Sequence, residues 1–452
     1  MIKHCDFSSA IRARLFGAFV AAFAISLAMP VQAIPSMGRQ TGMQCASCHT
    51  VFPELTPFGR QFKLGGFSLS APKGPDASVF DVIPVSALVQ VSWTDTKNTG
   101  TEGATDDNFP RNRETILQAA GFYYGGKIYD NLGALVQYNF DGVERSWAME
   151  MFDMRYGNTT TVADKGLFWG VSMNNSPTLS DIYNSTPVWS FPHAGSPAVM
   201  PAASTLIDTT LGSQVGGLTA YGLWDDTVYA ELGGYRTNNS GFFRFMGLGV
   251  TKNTIVSGTA PYWRLALQKQ IGDHGFEVGT YGMVANVFAD SADLSLGTNR
   301  FRDVALDAQY QYITDEHQVS AHTTWIREKQ DWKTSFDQGL SSSPSTTLKT
   351  FRADLHYFYR RLVGGGVQYF QTRGDSNDLL YNTGEPVMGS ANGSPNSNGW
   401  VAEVNWLPIQ NVKLAVRYTA YQQFNGASSN YDGFGRNAKD NNSIFLLAWL
   451  LL

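Results

Sequence analysis

The sequence predicts a mostly β protein: a transmembrane antiparallel β-barrel of about 16 strands, preceded by a short N-terminal segment that contains a small helix. Three observations predict this fold. Aromatic residues make up 13% of the 452-residue chain, and 45 residues are glycine. No stretch beyond the N-terminal region is apolar enough for a membrane helix. From about residue 80 onward, short segments of alternating apolar and polar residues recur, and the links between them alternate between tight and long.

Residues 1–33 have the pattern of a secretory signal peptide, with basic residues first, an apolar run from Leu15 to Met29 and a small-residue cleavage site at Val31-Gln32-Ala33. The apolar run is short for a membrane anchor. We therefore expect cleavage after Ala33 and export of the rest of the chain. The formal net charge of −5, which becomes more negative without the signal, excludes a nucleic-acid binder.

The run Cys45-Ala46-Ser47-Cys48-His49 predicts covalent attachment of one c-type haem. Each cysteine can form a thioether to a haem vinyl group, and the adjacent His49 can supply an axial ligand to the iron. A zinc site would need two more ligands, yet the remaining cysteine, Cys5, lies in the predicted signal peptide. A thioredoxin-type pair would need a βαβ context, which the flanking sequence lacks. Cys45, Cys48 and His49 are thus the predicted binding residues for haem c.

The haem motif lies in a predicted monohaem cytochrome c segment, residues 34–79, which precedes a predicted barrel of residues 80–452. A segment this short cannot bury a large core by itself, so we expect a covalent cofactor to contribute much of it. Thr56 as N-cap and Pro57 at the first helical position predict a helix that ends before Gly65-Gly66.

Side chains of this helix have two interpretations each. Phe58 and Phe62 share one helix face, which either covers a haem face or is ordinary core. Arg60 and Lys63 either pair with haem propionates or are solvated surface charges. The second axial ligand of the iron is left unassigned, and an open sixth position is also considered. Its candidates are two methionines of the segment and one histidine of a later link: Met37, Met43 and His193.

The barrel prediction depends on alternation and on link lengths. From Phe351 to Tyr357 the odd-numbered residues are apolar, and Arg352, Asp354 and His356 alternate with them. The run from Val412 to Tyr418 repeats the pattern, which fits a strand between lipid and water. A soluble β-sandwich alternates similarly, so the links discriminate better. Short turns that alternate with long loops are typical of outer-membrane barrels.

About sixteen strands are predicted near residues 85–94, 114–128, 132–140, 147–156, 165–173, 216–223, 227–236, 260–271, 275–288, 301–313, 317–327, 350–360, 363–373, 399–407, 411–423 and 442–452. Tight turns are predicted at 129–131, 224–226, 272–274, 314–316 and 361–362, and long links at 95–113, 174–215, 237–259, 328–349, 374–398 and 424–441. With the N-terminus on the periplasmic side, every long link falls outside the cell, and an even strand number returns the C-terminus to the periplasm.

Two segments and the C-terminus depart from this regular pattern. The segment from Phe242 to Val250 resembles a strand, but it would break the alternation of links, so we predict a loop there. The long link 174–215 is a candidate for a loop that folds into the lumen. The chain ends on Trp449-Leu450-Leu451-Leu452, whereas barrel-terminal strands usually finish on an aromatic residue.

The residues around the haem motif also carry a family resemblance. Arg39-Gln40-Thr41-Gly42 before the motif and Phe58-Gly59-Arg60-Gln61-Phe62-Lys63-Leu64-Gly65-Gly66-Phe67 after it resemble the fused monohaem cytochrome c–porin family of bacterial outer membranes. Its best-known members are the iron-oxidising outer-membrane cytochromes. The barrel agrees with this family only in length, strand rhythm and position. The resemblance implies a haem on Cys45, Cys48 and His49, held in or at the periplasmic mouth of the barrel. No iron-binding residues carry over.

The resulting functional hypothesis is an outer-membrane electron conduit with Fe(II):cytochrome oxidoreductase activity. Its expected partners are Fe(II) or another extracellular electron donor, a periplasmic carrier such as a soluble cytochrome c, and outer-membrane lipid, with no nucleic acid. One alternative is a diffusion porin whose haem segment is a structural or sensory plug. Another is outward electron flow to an external acceptor. Sequence patterns do not fix the direction of flow or the oligomeric state.

Overall fold

The computed structural model of the protein describes residues 35–50, 53–72, 83–97, 112–143, 145–186, 200–237, 253–409 and 411–452. Three sequence predictions lie outside these ranges: the signal peptide 1–33, the loop 242–250 and the candidate ligand His193. No helix within the described ranges is both long and apolar enough to cross a membrane, a finding that leaves β-barrels unaddressed.

The described residues form six α-helices: α1 (Pro35–Thr41), α2 (Cys45–Cys48), α3 (Pro57–Leu64), α4 (Pro177–Ser180), α5 (Lys333–Asp337) and α6 (Asp378–Tyr381). They also form seventeen strands: β1 (Val85–Thr96), β2 (Thr115–Tyr129), β3 (Leu132–Asp141), β4 (Ser146–Val162), β5 (Lys165–Asn174), β6 (Gly216–Trp224), β7 (Val228–Arg236), β8 (Val256–Ser257), β9 (Ala260–Ile271), β10 (His274–Phe288), β11 (Thr298–Ile313), β12 (His317–Asp331), β13 (Ser345–Tyr359), β14 (Val363–Gly374), β15 (Ser397–Ile409), β16 (Val412–Gln423) and β17 (Ser443–Leu451). A π-helical turn covers Leu206–Thr210, and 3₁₀ turns cover Leu294–Leu296 and Ala438–Asn441.

The strands form one closed antiparallel barrel. Each wall strand pairs with its neighbour in the chain, and β1 pairs with β17 from Leu88↔Leu451 to Thr96↔Ser443, which closes the sheet. The two-residue β8 pairs only with the end of β10 and precedes β9, which takes the place beside β7. Sixteen strands therefore make the wall. Closure leaves no unpaired sheet edge, as a barrel in lipid requires.

The predicted strand order and turns are confirmed. Every predicted strand overlaps one wall strand, and the tight turns join consecutive strands at one end, for example between Ile271 and His274. The largest error is at the end of β4, which reaches Val162 rather than 156. At the outer ends of β12 and β13 the strands reach Asp331 and Ser345 rather than 327 and 350. In that extension Glu328 pairs with Leu348, so the two strands continue together beyond the alternating part of the sequence.

The outer face of the wall is apolar. Side chains of alternate residues are exposed there, including Leu265, Leu306, Val404 and Val416 at about half of their surface or more. Aromatic side chains are exposed near both ends of the strands: Tyr129, Trp224, Phe276, Tyr359 and Trp406 towards the tight turns, and Trp147 and Trp400 towards the opposite rim. An apolar band flanked by aromatic rings is the outer surface of a membrane barrel.

The N-terminal segment lies inside the tight-turn end of the barrel. In α1, Ser36 Oγ donates to Gly125 O (2.8 Å) on β2, and the Ser36 amide donates to Ser86 Oγ (2.9 Å) on β1. At the end of α3, the Leu64 carbonyl accepts a hydrogen bond from Tyr221 (2.7 Å) on β6. Gly66 has φ +69° and passes so close to Asn131 O that a β-carbon would lie 2.4 Å from it. These contacts join the segment to the part of the wall between β1 and β6.

The long link 174–215 also enters the lumen, as predicted. Its described part contains α4 and the turn Leu206–Thr210, and most of its residues between 175 and 186 are buried. Two ion pairs hold it to inward-facing wall residues: Arg264 lies 3.5 Å from Asp181, and Arg352 lies 2.5 Å from Asp208. The link therefore forms a second layer across the barrel, above the N-terminal segment.

Candidate functional site

A cavity with about 910 Å³ of empty space lies between the N-terminal segment, the inward link and the barrel wall. Part of this space is open to solvent. Both cysteines and the histidine of the predicted haem motif line it. Its other lining residues are mostly apolar or small: Met37, Gly38, Thr41, Met43, Gln44, Pro53, Leu55, Gly59, Phe62, Phe67, Leu135, Met151, Leu179 and Asn184, with Lys63 and Asp181 as the charged exceptions.

The predicted helix α3 packs against α2, the short helix that contains both cysteines of the haem motif. Thr56 caps this helix through a bond from the Gly59 amide to its hydroxyl oxygen (3.1 Å), and Pro57 is its first residue, as predicted. Thr56 also binds α2 directly: its hydroxyl donates to Ser47 O (2.7 Å) and its amide donates to Cys48 O (2.9 Å). The capping residue of one helix thus fixes the end of the other.

The contact between the two helices depends on a glycine. A β-carbon at Gly59 would lie 2.2 Å from the Cys48 carbonyl oxygen, a distance that real side chains do not tolerate. Any larger residue there must push α2 and α3 apart. Because Gly59, Cys48 and His49 all line the cavity, such a shift would move the haem motif itself.

We therefore expect Gly59→Val to lower the covalent haem content of the purified protein severalfold, as measured from the pyridine haemochrome spectrum. Gly166→Ala is the matched control, because a β-carbon at Gly166 meets no atom within 4 Å. Equal haem content in Gly59→Val and Gly166→Ala would show that the helix contact does not position the motif.

His49 is held by the turn that follows it. Its Nδ1 lies 3.2 Å from the carbonyl oxygen of Glu54, and a β-bridge joins His49 to Leu55. Burial lowers the pKa of His49 to about 4, although hydrogen bonds to the Glu54 and Pro53 carbonyls oppose this. The imidazole is therefore neutral at pH 7, which is the form that binds metals. A bond from one ring nitrogen to a backbone carbonyl is also the usual support of a ligating histidine.

The Cys48 thiol is protonated in this environment. Burial, with a smaller contribution from Cys45, raises the pKa of the Cys48 thiol to about 11. Metal-binding or redox-active cysteines normally have a lowered pKa. The surroundings of Cys48 therefore suit a thiol that forms a carbon–sulfur bond better than a thiolate.

Arg60 agrees with neither interpretation from the sequence. It is not a solvated surface charge, and it does not face the cavity, where a haem propionate would be bound. It is buried, it does not line the cavity, and its Nη1 donates to Gln309 Oε1 and Gln311 Oε1 (both 3.1 Å) on β11. Its guanidinium also lies over the ring of Tyr183, 5.3 Å from the centroid. Arg60 therefore docks α3 to the wall and to the inward link.

Lys63 lines the cavity but is already bound to protein groups. Its Nζ donates to Leu179 O (2.6 Å) and Asp181 O (3.2 Å) and lies 3.8 Å from Asp153 Oδ2. Burial, with the nearby charge of Arg155, lowers its pKa to about 8 in spite of Asp153 and Asp181. A propionate is therefore not required to satisfy Lys63, although the side chain lies where one could be bound.

The remaining predictions for this segment have mixed outcomes. Phe62 is buried, lines the cavity and packs edge-on against Phe67 at 5.9 Å, whereas Phe58 is outside the cavity lining. Both candidate methionines, Met37 and Met43, line the cavity. The cavity adds a third one that sequence reasoning missed, Met151 on β4. The alternation of residues along β4 is the sequence signal that could have indicated it, because Met151 is on the same inward face as Asp153.

Charged residues behind the cavity are paired. Asp153 and Arg155 are fully buried and 2.9 Å apart, and Arg155 also donates to Leu179 O (3.0 Å). Arg264 contacts Glu277 at 3.3 Å and also binds Asp307. These charged side chains are all on wall strands, and the bond from Arg155 to Leu179 O reaches the inward link. Within the described ranges, no group of three or more His, Cys, Asp or Glu side chains is arranged to hold a metal ion.

The residues present fit a c-type haem. The cavity is mostly apolar and partly open to solvent, and it brings Cys45, Cys48 and a neutral, carbonyl-supported His49 together. Met37, Met43 and Met151 also line the cavity, and any of them would offer a thioether sulfur to a haem iron.

No family model matches the chain, and no curated protein matches it. Solved structures of outer-membrane porins resemble its fold. OmpF of Salmonella typhi has a TM-score of 0.46 at 12% identity, over 81% of this chain and 97% of that chain. The channel DcaP of Acinetobacter baumannii has a TM-score of 0.44 at 9% identity, over 81% of this chain and 96% of that chain. An anion-selective porin from Comamonas acidovorans has a TM-score of 0.43 at 8% identity, over 81% of this chain and 98% of that chain.

At these scores the matches add nothing to the strand pairing, which defines the class by itself. The protein is a porin-type transmembrane β-barrel with sixteen wall strands. Its lumen contains its own N-terminal segment and one inward link, and the cavity between them is lined by Cys45, Cys48 and His49.

Proposed function

We propose that the protein is an outer-membrane electron conduit with one covalently bound haem c. It takes electrons from an extracellular donor, Fe(II) in the leading version, and passes them to a periplasmic carrier such as a soluble cytochrome c. The observation that carries the proposal is the cavity in which Cys45, Cys48 and His49 meet inside the barrel. A membrane insulates, so a redox centre inside a barrel is useful where electrons must cross it.

The chain's own residues attach and orient the cofactor. The Cys45 and Cys48 thiols would hold the haem by thioether bonds to its two vinyl groups; addition of S–H across each double bond needs no oxidant. His49 would supply a nitrogen ligand to the iron, and its Nδ1 is held by Glu54 O. The apolar lining, including Phe62 and Leu179, excludes water. When bound, the haem iron accepts and releases one electron, and Fe(II) outside is oxidised to Fe(III) in return.

The contents of the lumen favour a conduit over a diffusion porin. The N-terminal segment fills the tight-turn end, and the inward link crosses the barrel above it. Tight turns are on the periplasmic side of outer-membrane barrels. The cavity is then near the periplasm, where a soluble carrier can approach the exposed Gln44 and the partly exposed Met43 at its rim. Lipid contacts the apolar outer band.

The donor is tested by adding Fe(II) anaerobically to the purified, haem-loaded protein in lipid vesicles that enclose oxidised cytochrome c. We expect the haem spectrum to change to the reduced form and the enclosed cytochrome c to become reduced afterwards. The Cys45→Ser/Cys48→Ser double variant is the control and should transfer no electrons. A haem that stays oxidised with Fe(II) across the pH range would refute the iron assignment, and failure to reduce enclosed cytochrome c would refute the inward direction.

A further inference from the structure

Glu54 connects the predicted haem ligand to the barrel wall. Its backbone carbonyl accepts from the Thr50 amide (3.3 Å) and lies 3.2 Å from His49 Nδ1, so it closes the turn beside the ligand. Its side chain is directed the other way, into the wall. Gln311 Nε2 on β11 donates to Glu54 Oε1 (2.8 Å), and His322 Nε2 on β12 lies 3.3 Å from the same oxygen.

The wall side of this contact is itself a connected chain of buried groups. His322 Nδ1 lies 2.9 Å from Asp354 Oδ1 on β13, so the imidazole is placed between two carboxylates. His356 lies 3.5 Å from the same Asp354 oxygen. All four side chains, including that of Glu54, have less than a tenth of their surface exposed. The charge of Glu54 is therefore balanced by the barrel and not by solvent.

Gln311 also binds the residues around Glu54 in the N-terminal segment. Its amide nitrogen also donates to the Leu55 carbonyl (3.0 Å), and its amide oxygen accepts from Arg60 Nη1 (3.1 Å). Arg60 in turn donates to Leu55 O (3.2 Å). The peptide that follows Glu54 is therefore clamped from the segment and from the wall. The His49–Glu54 turn cannot shift without breaking bonds to β11.

We propose that Glu54 is a positioning residue for His49, and that Gln311 and His322 are its anchors on the barrel. This inference rests on the proposed function, because it assumes that His49 ligates a haem iron. It adds that the barrel wall sets the orientation and the electron affinity of that haem. Two physical effects are involved. The carbonyl of Glu54 orients the imidazole, and its buried carboxylate favours the oxidised iron, which carries one more positive charge.

The test uses full-length, haem-loaded protein and three variants. Glu54→Gln keeps the shape of the side chain and removes its charge, Glu54→Leu removes both, and His322→Gln weakens the wall anchor. Glu328→Gln is the matched control: Glu328 is buried on the same strand as His322, but it accepts from the Leu206 amide (2.5 Å) in the inward link and does not touch the haem segment. Haem content, midpoint potential and the paramagnetic resonance spectrum of the oxidised haem are measured for each.

We expect haem content to be unchanged, since Cys45, Cys48 and His49 are intact. Glu54→Gln should favour the reduced haem about tenfold, a rise of about 59 mV in midpoint potential for one electron. Glu54→Leu should also broaden the resonance spectrum, because the imidazole is less well oriented. His322→Gln should lower the potential in the wild-type background and have a smaller effect when Glu54→Gln is present. Glu328→Gln should match the wild type.

Unchanged potential and spectrum in all Glu54 variants, or an effect of His322→Gln that is the same in both backgrounds, would overturn the inference. If Glu54→Leu does not assemble, the isosteric Glu54→Gln and His322→Gln variants still decide it. A wild-type protein without covalent haem would instead overturn the proposed function. A wild-type protein that binds haem and is reduced by Fe(II), with no response to Glu54, would overturn the inference alone.

Discussion

Replacement of both Cys45 and Cys48 by serine is expected to abolish covalent haem completely. A serine hydroxyl does not form the thioether, and the cavity offers no other thiol among the described residues. Denaturing electrophoresis followed by a haem peroxidase stain measures the loss, because only covalently held haem stays with the chain. Each single variant keeps one attachment point and should retain a weakened stain.

Ser47→Ala is the control for this experiment. Ser47 lies between the two cysteines, and the contact that positions it is made by its backbone carbonyl, which accepts from Thr56. The variant should therefore stain like the wild type. A stained band in the double cysteine variant would contradict the attachment at this motif. Loss of stain in Ser47→Ala would show that any change in α2 prevents attachment, and the cysteines would then not be distinguished from their surroundings.

The barrel could be predicted because its determinants are local. In β13, alternate residues such as Arg352 and Asp354 face inward and Leu355 is exposed. The alternation of polar and apolar residues in the sequence is therefore the alternation of inward and outward side chains in the wall. The tight turns mark the strand ends at one rim. At the other rim the pairing continues where the alternation stops, as between Asp331 and Ser345. Polar residues on both faces look like a loop in sequence, so those strand ends were predicted too short.

The haem motif could be predicted for the same reason, since five consecutive residues carry it. The buried position of Arg60 could not be predicted, because its wall partners Gln309 and Gln311 are 249 and 251 residues away in the chain. A charge that is exposed on an isolated helix becomes buried only when the barrel closes around it. The tertiary position of the segment, which sequence spacing does not encode, decided between the two interpretations of Arg60.

Met151 is an intermediate case. The strand that contains it was predicted at 147–156, and in the structure Met151 shares its buried face with Asp153 and Arg155. What the sequence did not provide was the depth of the N-terminal segment in the lumen. Only the docking of α1 against β1 and β2 brings Met37 and Met151 to the same cavity. The sequence therefore indicates the strand that contains Met151, but not that this strand and the N-terminal segment line one cavity.

Deletion of residues 35–72 is expected to raise the single-channel conductance of the barrel severalfold over that of the intact protein, which should be nearly closed to small solutes. The deleted residues fill the tight-turn end of the lumen but contribute no strand to the wall, and β1 still pairs with β17. The groups that lose their partners are polar, as with Asp153 and Gln311, and water can solvate them. Planar-bilayer recording of the reconstituted protein measures the change.

The inward link decides how large the increase is. It remains across the barrel after the first deletion, pinned by Asp208 to Arg352 and by Asp181 to Arg264. Further removal of residues 177–210 should therefore raise the conductance again. Gln61→Ala, which removes one exposed contact to Asp226 (3.2 Å), should leave the intact channel closed. An intact protein that already conducts like an open porin would contradict the occluded lumen. It would favour the diffusion porin, because a segment that leaves the pore open to solutes does not seal it around a redox centre.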